Sequence, residues 1–274
     1  MTNSTVHGAV DRATDSKAFE YTARAGFAAS GVLHLLVAFI ILRLAFGSGG
    51  NADQSGALST LAGQPGGAVM LWIAAIGLFA LGLWRVAEAV IGAKPGEKYG
   101  AAKQQNDSAA WKRVKALGLA AVNFAIAFSA LKFAMGSGQS SGQQNSGLSA
   151  QLMQSGWGKA LLVVIGLGVA VVGGYHVYKG ASQKFLKDLQ VSGGTGVTAV
   201  GVTGYVAKGL VLAGAGLLVI VASLRADPSK AAGLDAAVKT LGEAPFGKIL
   251  LILAALGIAA FGAYSFVRSR HGRM

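Results

Sequence analysis

Seven polar side chains stand inside or at the ends of long apolar stretches of this 274-residue chain: His34, Asn123, Arg85, Glu88, His176, Lys179 and Arg268. They are the residues placed to do chemistry in a membrane, where a buried ionisable group costs about 3 kcal/mol or more near the midplane. His34 lies midway between Arg24 and Arg43 and is the deepest of them. Asn123 takes the matching place in a second copy of the segment when Gly47 is aligned with Gly136, and a third copy offers Leu212 or Gly216. A polar group on two of three matched segments could line an axial cavity; a hydrogen bond between helices is the simpler role. Glu88 is the only carboxylate within a predicted span, and it aligns with Lys179 and Arg268. Opposite charges at matched positions could pair around a common axis, with Arg85 and His176 as a second matched set. The simpler arrangement pairs Arg85 with Glu88 three residues on, while Lys179 and Arg268 reach to the interface as anchors.

Other chemistries are excluded by what the chain lacks. It has no cysteine, so thiolate catalysis, thiolate metal sites and disulfides are all ruled out. No His-Glu-x-x-His, nucleophile elbow or phosphate loop is present. Gly193-Gly194-Thr195-Gly196 lacks the lysine of a phosphate loop and reads as a flexible connector. No catalytic residue, cofactor or metal site is expected, and the chain does not read as an enzyme.

The elements that carry these residues are membrane spans. The chain is 53% hydrophobic and 13% charged, with a mean hydropathy of +0.53, against about a quarter charged in soluble domains. Six segments approach the ~20 apolar residues that cross a bilayer: 25–46, 68–91, 114–135, 159–179, 205–225 and 247–267. The third is flanked by Lys115 and Lys132, which extend it by snorkelling. The net charge of +13 comes from Lys and Arg gathered in alternate connections. Those connections hold Arg12, Lys17 and Arg24; Arg85 to Lys115; Lys179 to Lys208; and Arg268, Arg270 and Arg273. The positive-inside rule places them, and both termini, in the cytoplasm. The basic runs 94–103 and 179–187 can meet anionic headgroups, at about 1 kcal/mol per residue. They are too sparse for nucleic acid.

A pattern repeated three times organises the spans: Gly-x9-Gly-x4-Gly-x-aromatic. It reads Gly67, Gly77, Gly82, Trp84; then Gly158, Gly168, Gly173, Tyr175; then Gly247, Gly257, Gly262, Tyr264. Each copy follows another apolar span, so the unit is a two-helix hairpin used three times. Units that return to the same side share one orientation and are related by an axis along the membrane normal. The expected fold is therefore an all-α polytopic integral membrane protein, with six transmembrane helices as three pseudo-threefold-related hairpins. Residues 1–22 are expected to form a disordered cytoplasmic tail, 23–93, 113–180 and 204–270 the repeats, and 94–112 and 181–203 the linkers between them. Gly77, Gly82, Gly168, Gly173, Gly257 and Gly262 are expected to let helices approach closely. The aromatics are expected to anchor at the interface. Outer loops around Leu58 and Leu61, Leu148 and Leu152, and Leu234 and Leu241 read as short surface helices.

Ala23-Arg24-Ala25-Gly26-Phe27, Gly204-Tyr205 and the glycine–aromatic spans together resemble the bacterial, mainly actinobacterial, domain-of-unknown-function family 1206, over roughly residues 20 to 270. The second copy departs at Arg113-Val114-Lys115-Ala116, which lacks the Gly–aromatic pair. The resemblance implies tandem two-helix membrane repeats in a bacterial plasma (inner) membrane and brings no activity or catalytic residue. The function expected is a non-enzymatic scaffold or accessory subunit. Its expected partners are membrane lipids, with another membrane protein or a second copy of the chain beyond them. The alternative is a small transporter or channel with a polar path near the axis.

Overall fold

A computed structural model describes residues 17–91, 109–190 and 194–273. The basic residues Arg12, Lys94, Lys98 and Lys103, most of the N-terminal tail, most of the first linker and Gly193 lie outside the described residues. Among the described residues the protein is almost wholly helical. Six helices are long and apolar enough to cross a membrane: α1 (Lys17–Ala45), α3 (Gly67–Ile91), α4 (Ala109–Ala134), α6 (Gly156–Ala181), α7 (Thr195–Arg225) and α9 (Gly247–His271). Three short helices connect them on one face: α2 (Gln54–Ala62), α5 (Ser141–Met153) and α8 (Leu234–Glu243). In hydrocarbon a helix satisfies its own backbone, which is why long apolar runs take this form. The chain is a polytopic membrane protein built as three tandem hairpins.

Several boundaries differ from the sequence reading. Helix α1 begins at Lys17, inside the stretch expected to be a disordered tail, and α4 begins at Ala109, inside the expected linker. Helix α7 begins at Thr195, so Thr195 and Gly196 open a helix and are not a flexible connector. Its 31 residues make about 46 Å of helix, longer than the ~30 Å hydrocarbon. The surplus extends past the face where the described chain starts and ends. On that face Arg24 Nη1 donates to the carbonyls of Ser269 (2.8 Å) and Arg270 (2.6 Å).

The helices form an incomplete ring. The closest pairs join neighbouring repeats: α3 with α4, α6 with α7, and α9 with α1. Within repeats, α1 packs on α3 and α7 on α9, but α4 and α6 barely touch. The order around the ring is α4, α3, α1, α9, α7, α6, with an opening between the last and the first.

Glycine sets these contacts. A Cβ on Gly209 would sit 2.6 Å from both Gly173 O and Val177 N, and one on Gly166 would sit 2.7 Å from Gly216 O. Helices α6 and α7 are thus in backbone contact over several turns, the geometry in which dispersion holds membrane helices together. Gly26 lies against Gly77, Gly262 against Gly31, and Gly82 against the Phe124 ring. The opening glycine of each pattern has its own cause. Gly67, Gly158 and Gly247 each pass beneath a carbonyl at the end of the preceding short helix, at Leu61, Leu152 and Gly242 respectively, closer than any side chain allows.

A polar cap joins the three repeats on the short-helix face. Buried Asp53 caps α2, accepting from Gly56 N (2.9 Å), Ser55 Oγ (2.6 Å) and Ser141 Oγ (2.6 Å) of the second repeat. Buried Asp235 of the third repeat accepts from Ala52 N and Lys239 Nζ, both at 2.7 Å. Ser149 Oγ donates to Ala231 O at 3.2 Å. Beneath the cap, Leu33, Ile41, Leu58, Leu71, Leu78 and Ile258 belong to a core drawn from α1, α2, α3, α4, α8 and α9. Helix α6 adds nothing to it and packs through Leu162 in a small separate cluster.

Gly209→Leu overpacks the α6–α7 contact at a cost of about 1–3 kcal/mol, a fall of several degrees in the unfolding midpoint at about 2–4 °C per kcal/mol. Gly168→Leu, which faces open space, leaves the midpoint within about a degree. Thermal unfolding of both variants in one detergent checks the contrast.

Candidate functional site

The opening in the ring has a local cause. In the third repeat Gly204 lies against Phe261, and a Cβ on Gly257 would strike Ala207 Cβ. A shift of 89 positions carries Gly204, Ala207, Gly257 and Phe261 onto Lys115, Gly118, Gly168 and Val172 of the second repeat. There Gly118 and Gly168 meet nothing of a neighbouring helix within 4 Å, and Val172 is exposed. Lys115 stands where the other repeats have Gly26 and Gly204, so the hairpin cannot close as theirs do. Its Nζ donates to Tyr175 OH at 2.8 Å and lies 4.6 Å from the centre of that ring. The lysine spans the two helices at the terminal face and leaves them apart deeper in. Gly168, expected as a packing glycine, packs against nothing among the described residues.

Inside the ring, basic groups converge. Lys208 Nζ of α7 lies 3.1 Å from His34 Nε2 of α1 and 3.9 Å from the centre of the Phe261 ring of α9. His34 Nδ1 is 2.7 Å from Ser30 O and must carry the proton to donate there. Nε2 is then the acceptor for the lysine. Two helices that do not pack on one another are thereby bridged across the inner face of α9. Nearer the terminal face, Tyr205 packs among Phe185, Phe261 and Tyr264, with ring centres 5.1–5.4 Å apart. His176 stacks on Tyr205 at 5.8 Å, and Lys179 Nζ lies 5.2 Å from its ring centre. Tyr264 OH donates to Phe185 O at 2.9 Å, and Leu189 bridges to Gly272, which pins the connector before α7 to the end of α9.

The residues singled out from the sequence fall into distinct settings. His34, His176, Lys179 and Arg268 reach this inner cluster. Arg85 and Glu88 pair with each other at 2.5 Å. Lys179 pairs with Asp188 at 2.5 Å, not with Glu88. Asn123 Nδ2 donates to Leu119 O of its own helix at 2.7 Å, without crossing to a neighbour. Arg268 lies over the Phe27 ring at 4.4 Å, and its Nε is buried with no acceptor. The interfacial role expected of the aromatics fails for two of three. Trp84 and Tyr264 are buried at 4% and 0% exposure, while Tyr175 is 37% exposed. Tyr264 packs against Phe185 and Tyr205 and satisfies its hydroxyl on Phe185 O, the arrangement that suits a buried tyrosine.

Sequence reasoning missed Lys208, Lys115 as a spacer, and Asp188. Lys208 sits three residues inside a predicted span and was readable as a topology anchor. Its distinguishing signal is that the matched positions, Ser30 and Leu119, carry no charge. Among the described residues, no three His, Asp or Glu side chains gather as a metal would require.

Lys115→Gly is expected to bring α4 and α6 together. Introduced cysteines at Val122 and Val164, at matched depth on the two exposed faces, take spin labels cleanly in a cysteine-free chain. The measured distance in nanodiscs shortens by several ångströms in the variant. An unchanged distance would mean that another feature keeps the helices apart.

Comparison with known proteins agrees with this architecture. The uncharacterized protein YxxB of Bacillus subtilis (strain 168) is 28% identical over 256 residues, spanning 92% of this chain and 90% of the relative. No solved structure matches. The profile of a Domain of Unknown Function, DUF1206, matches three times, over residues 25–92, 114–183 and 203–272, with one match on each hairpin. The chain belongs to the DUF1206 family.

Proposed function

We propose that this protein is a non-enzymatic component of the bacterial plasma membrane that holds lipid between α4 and α6, as an accessory subunit or scaffold. The observation that carries the reading is the unfilled pair Gly118 and Gly168, at positions whose counterparts in the third repeat are in contact. A gap of this kind facing hydrocarbon takes acyl chains, because an empty one would forfeit dispersion contacts along both helices. The exposed apolar side chains on the flanks, Val122, Leu161, Val164 and Val172, are compatible with lipid and hostile to water. A partner's transmembrane helix, or a second copy of the chain, would meet the same surface.

The orientation belongs to the same proposal. Lys and Arg are concentrated at the terminal face, so that face and both ends of the chain lie in the cytoplasm. An enzymatic role has little support, since Glu88 is engaged by Arg85, Lys179 by Asp188, and His34, Asn123 and His176 by carbonyls of their own helices. A path for transport is the second reading, favoured by the His34–Lys208 bridge across the inside of the ring. Proton or anion flux into proteoliposomes that Lys208→Met abolishes would move the balance to it.

Native mass spectrometry of the protein released from nanodiscs tests the leading reading. Retention of at least one lipid, or of a stoichiometric membrane partner, is expected. A bare chain released under conditions that preserve its fold would contradict it.

A further inference from the structure

The inner cluster holds more positive charge than its carboxylates balance. Glu88 is engaged by Arg85 and Asp188 by Lys179, each at 2.5 Å. Lys208 has only a neutral imidazole nitrogen and an aromatic face. Arg268 has the Phe27 ring and a buried Nε with no acceptor, and neither residue makes an ion pair among the described residues. Asp188 and Glu88 act on Arg268 only from beyond ion-pair distance, and cations withdrawn from water without a contacting anion are expensive to hold. Both residues are half-buried as whole side chains, and Arg268 Nε is buried with no acceptor.

We propose that Arg268 and Lys208 form a binding site for an anionic phospholipid that enters between α4 and α6, with its phosphate on Arg268. The inference rests on the reading that this gap holds lipid and adds the headgroup chemistry. Arg268 and Lys208 are presented in order along one face of α9. Lys208 sits on Phe261, seven residues and two turns from Arg268, about 10 Å deeper along the helix. A phospholipid presents its groups in the same order, phosphate first and ester carbonyls beneath it toward the hydrocarbon. The planar guanidinium suits phosphate oxygens, and the lysine ammonium donates to the carbonyls below. An anionic headgroup is selected over a zwitterionic one because a choline would set a further cation beside Arg268, Lys179 and Lys115. Lys115 and Tyr175 form the rim of the entrance at headgroup depth.

The test uses the full chain in nanodiscs of equimolar phosphatidylglycerol and phosphatidylcholine, with retained lipid identified by native mass spectrometry. Phosphatidylglycerol is expected to be enriched about fivefold or more, the factor for one basic residue near the membrane surface. Arg268→Gln and Lys208→Met should each bring the enrichment toward unity. Arg225→Gln, an exposed arginine at the opposite end of α7, should leave it unchanged. Lipid retained with no headgroup preference, or with a preference that both inner variants keep, would overturn the proposal while leaving a lipid-holding gap intact. A chain released bare would remove both. Displacement of the lipid by millimolar inorganic phosphate would assign the site to a free anion and overturn the lipid assignment. Should the variants fail to fold, a photoactivatable phosphatidylglycerol on the unaltered protein decides the matter. Cross-links within 109–134 and 156–181, or beside Lys208 and Arg268, support the site, and cross-links confined to 67–91 or to the three short helices refute it.

Discussion

Close backbone contact at glycine is the constraint on which this structure depends. In hydrocarbon there is no hydrophobic gain in bringing two apolar helices together, so association rests on how closely their surfaces fit. The Gly166–Gly216, Gly173–Gly209 and Gly26–Gly77 contacts supply that fit. They also decide the order of helices in the ring, because the tightest pairs run from the second helix of one repeat to the first of the next. A hairpin repeated three times therefore becomes a woven assembly in which each repeat depends on its neighbour. The short-helix face reinforces the weave through Asp53 and Asp235, whose carboxylates join segments of different repeats.

The same constraint explains where the symmetry fails. Substituting one glycine position by Lys115 removes the contact that closes a hairpin and supplies a tether to Tyr175 in its place. Helix α6 is then held almost entirely by α7 and stays outside the main core. The departure leaves a lateral opening beside the most basic part of the interior. Arg268 and Lys208 line the inside, and the carboxylates nearby are already engaged. An apolar approach leading to unbalanced cations distinguishes this arrangement from ordinary helix packing. An anionic amphiphile satisfies both halves of it.

Much of the fold was legible because hydropathy, loop charge and glycine spacing are local signals. Six spans, three hairpins and the packing role of Gly77, Gly82, Gly173, Gly257 and Gly262 could all be read that way. The departure at Arg113-Val114-Lys115-Ala116 was also visible, but its effect was not, since that depends on what a neighbouring helix presents. Tyr264 went inward for the same reason: the space it fills is made by Phe185 of the connector and Tyr205 of α7. Lys208 was obscured by its position near a span end, where a lysine ordinarily reaches for the interface. Only the placement of His34 and Phe261 around it shows that it turns inward. Glu88 and Lys179 share a register in the repeat, yet each found a nearer partner, one on its own helix and one in the following connector.

Oxidative cross-linking in native membranes tests the broken symmetry most directly, because the protein offers no cysteine of its own to interfere. Two cysteine pairs occupy matched positions: 207 with 257 in the third repeat, and 118 with 168 in the second. A disulfide is expected in the first pair and none in the second under the same mild oxidant. Equal cross-linking of both pairs would show a closed second hairpin and contradict the opening on which the lipid-binding reading depends.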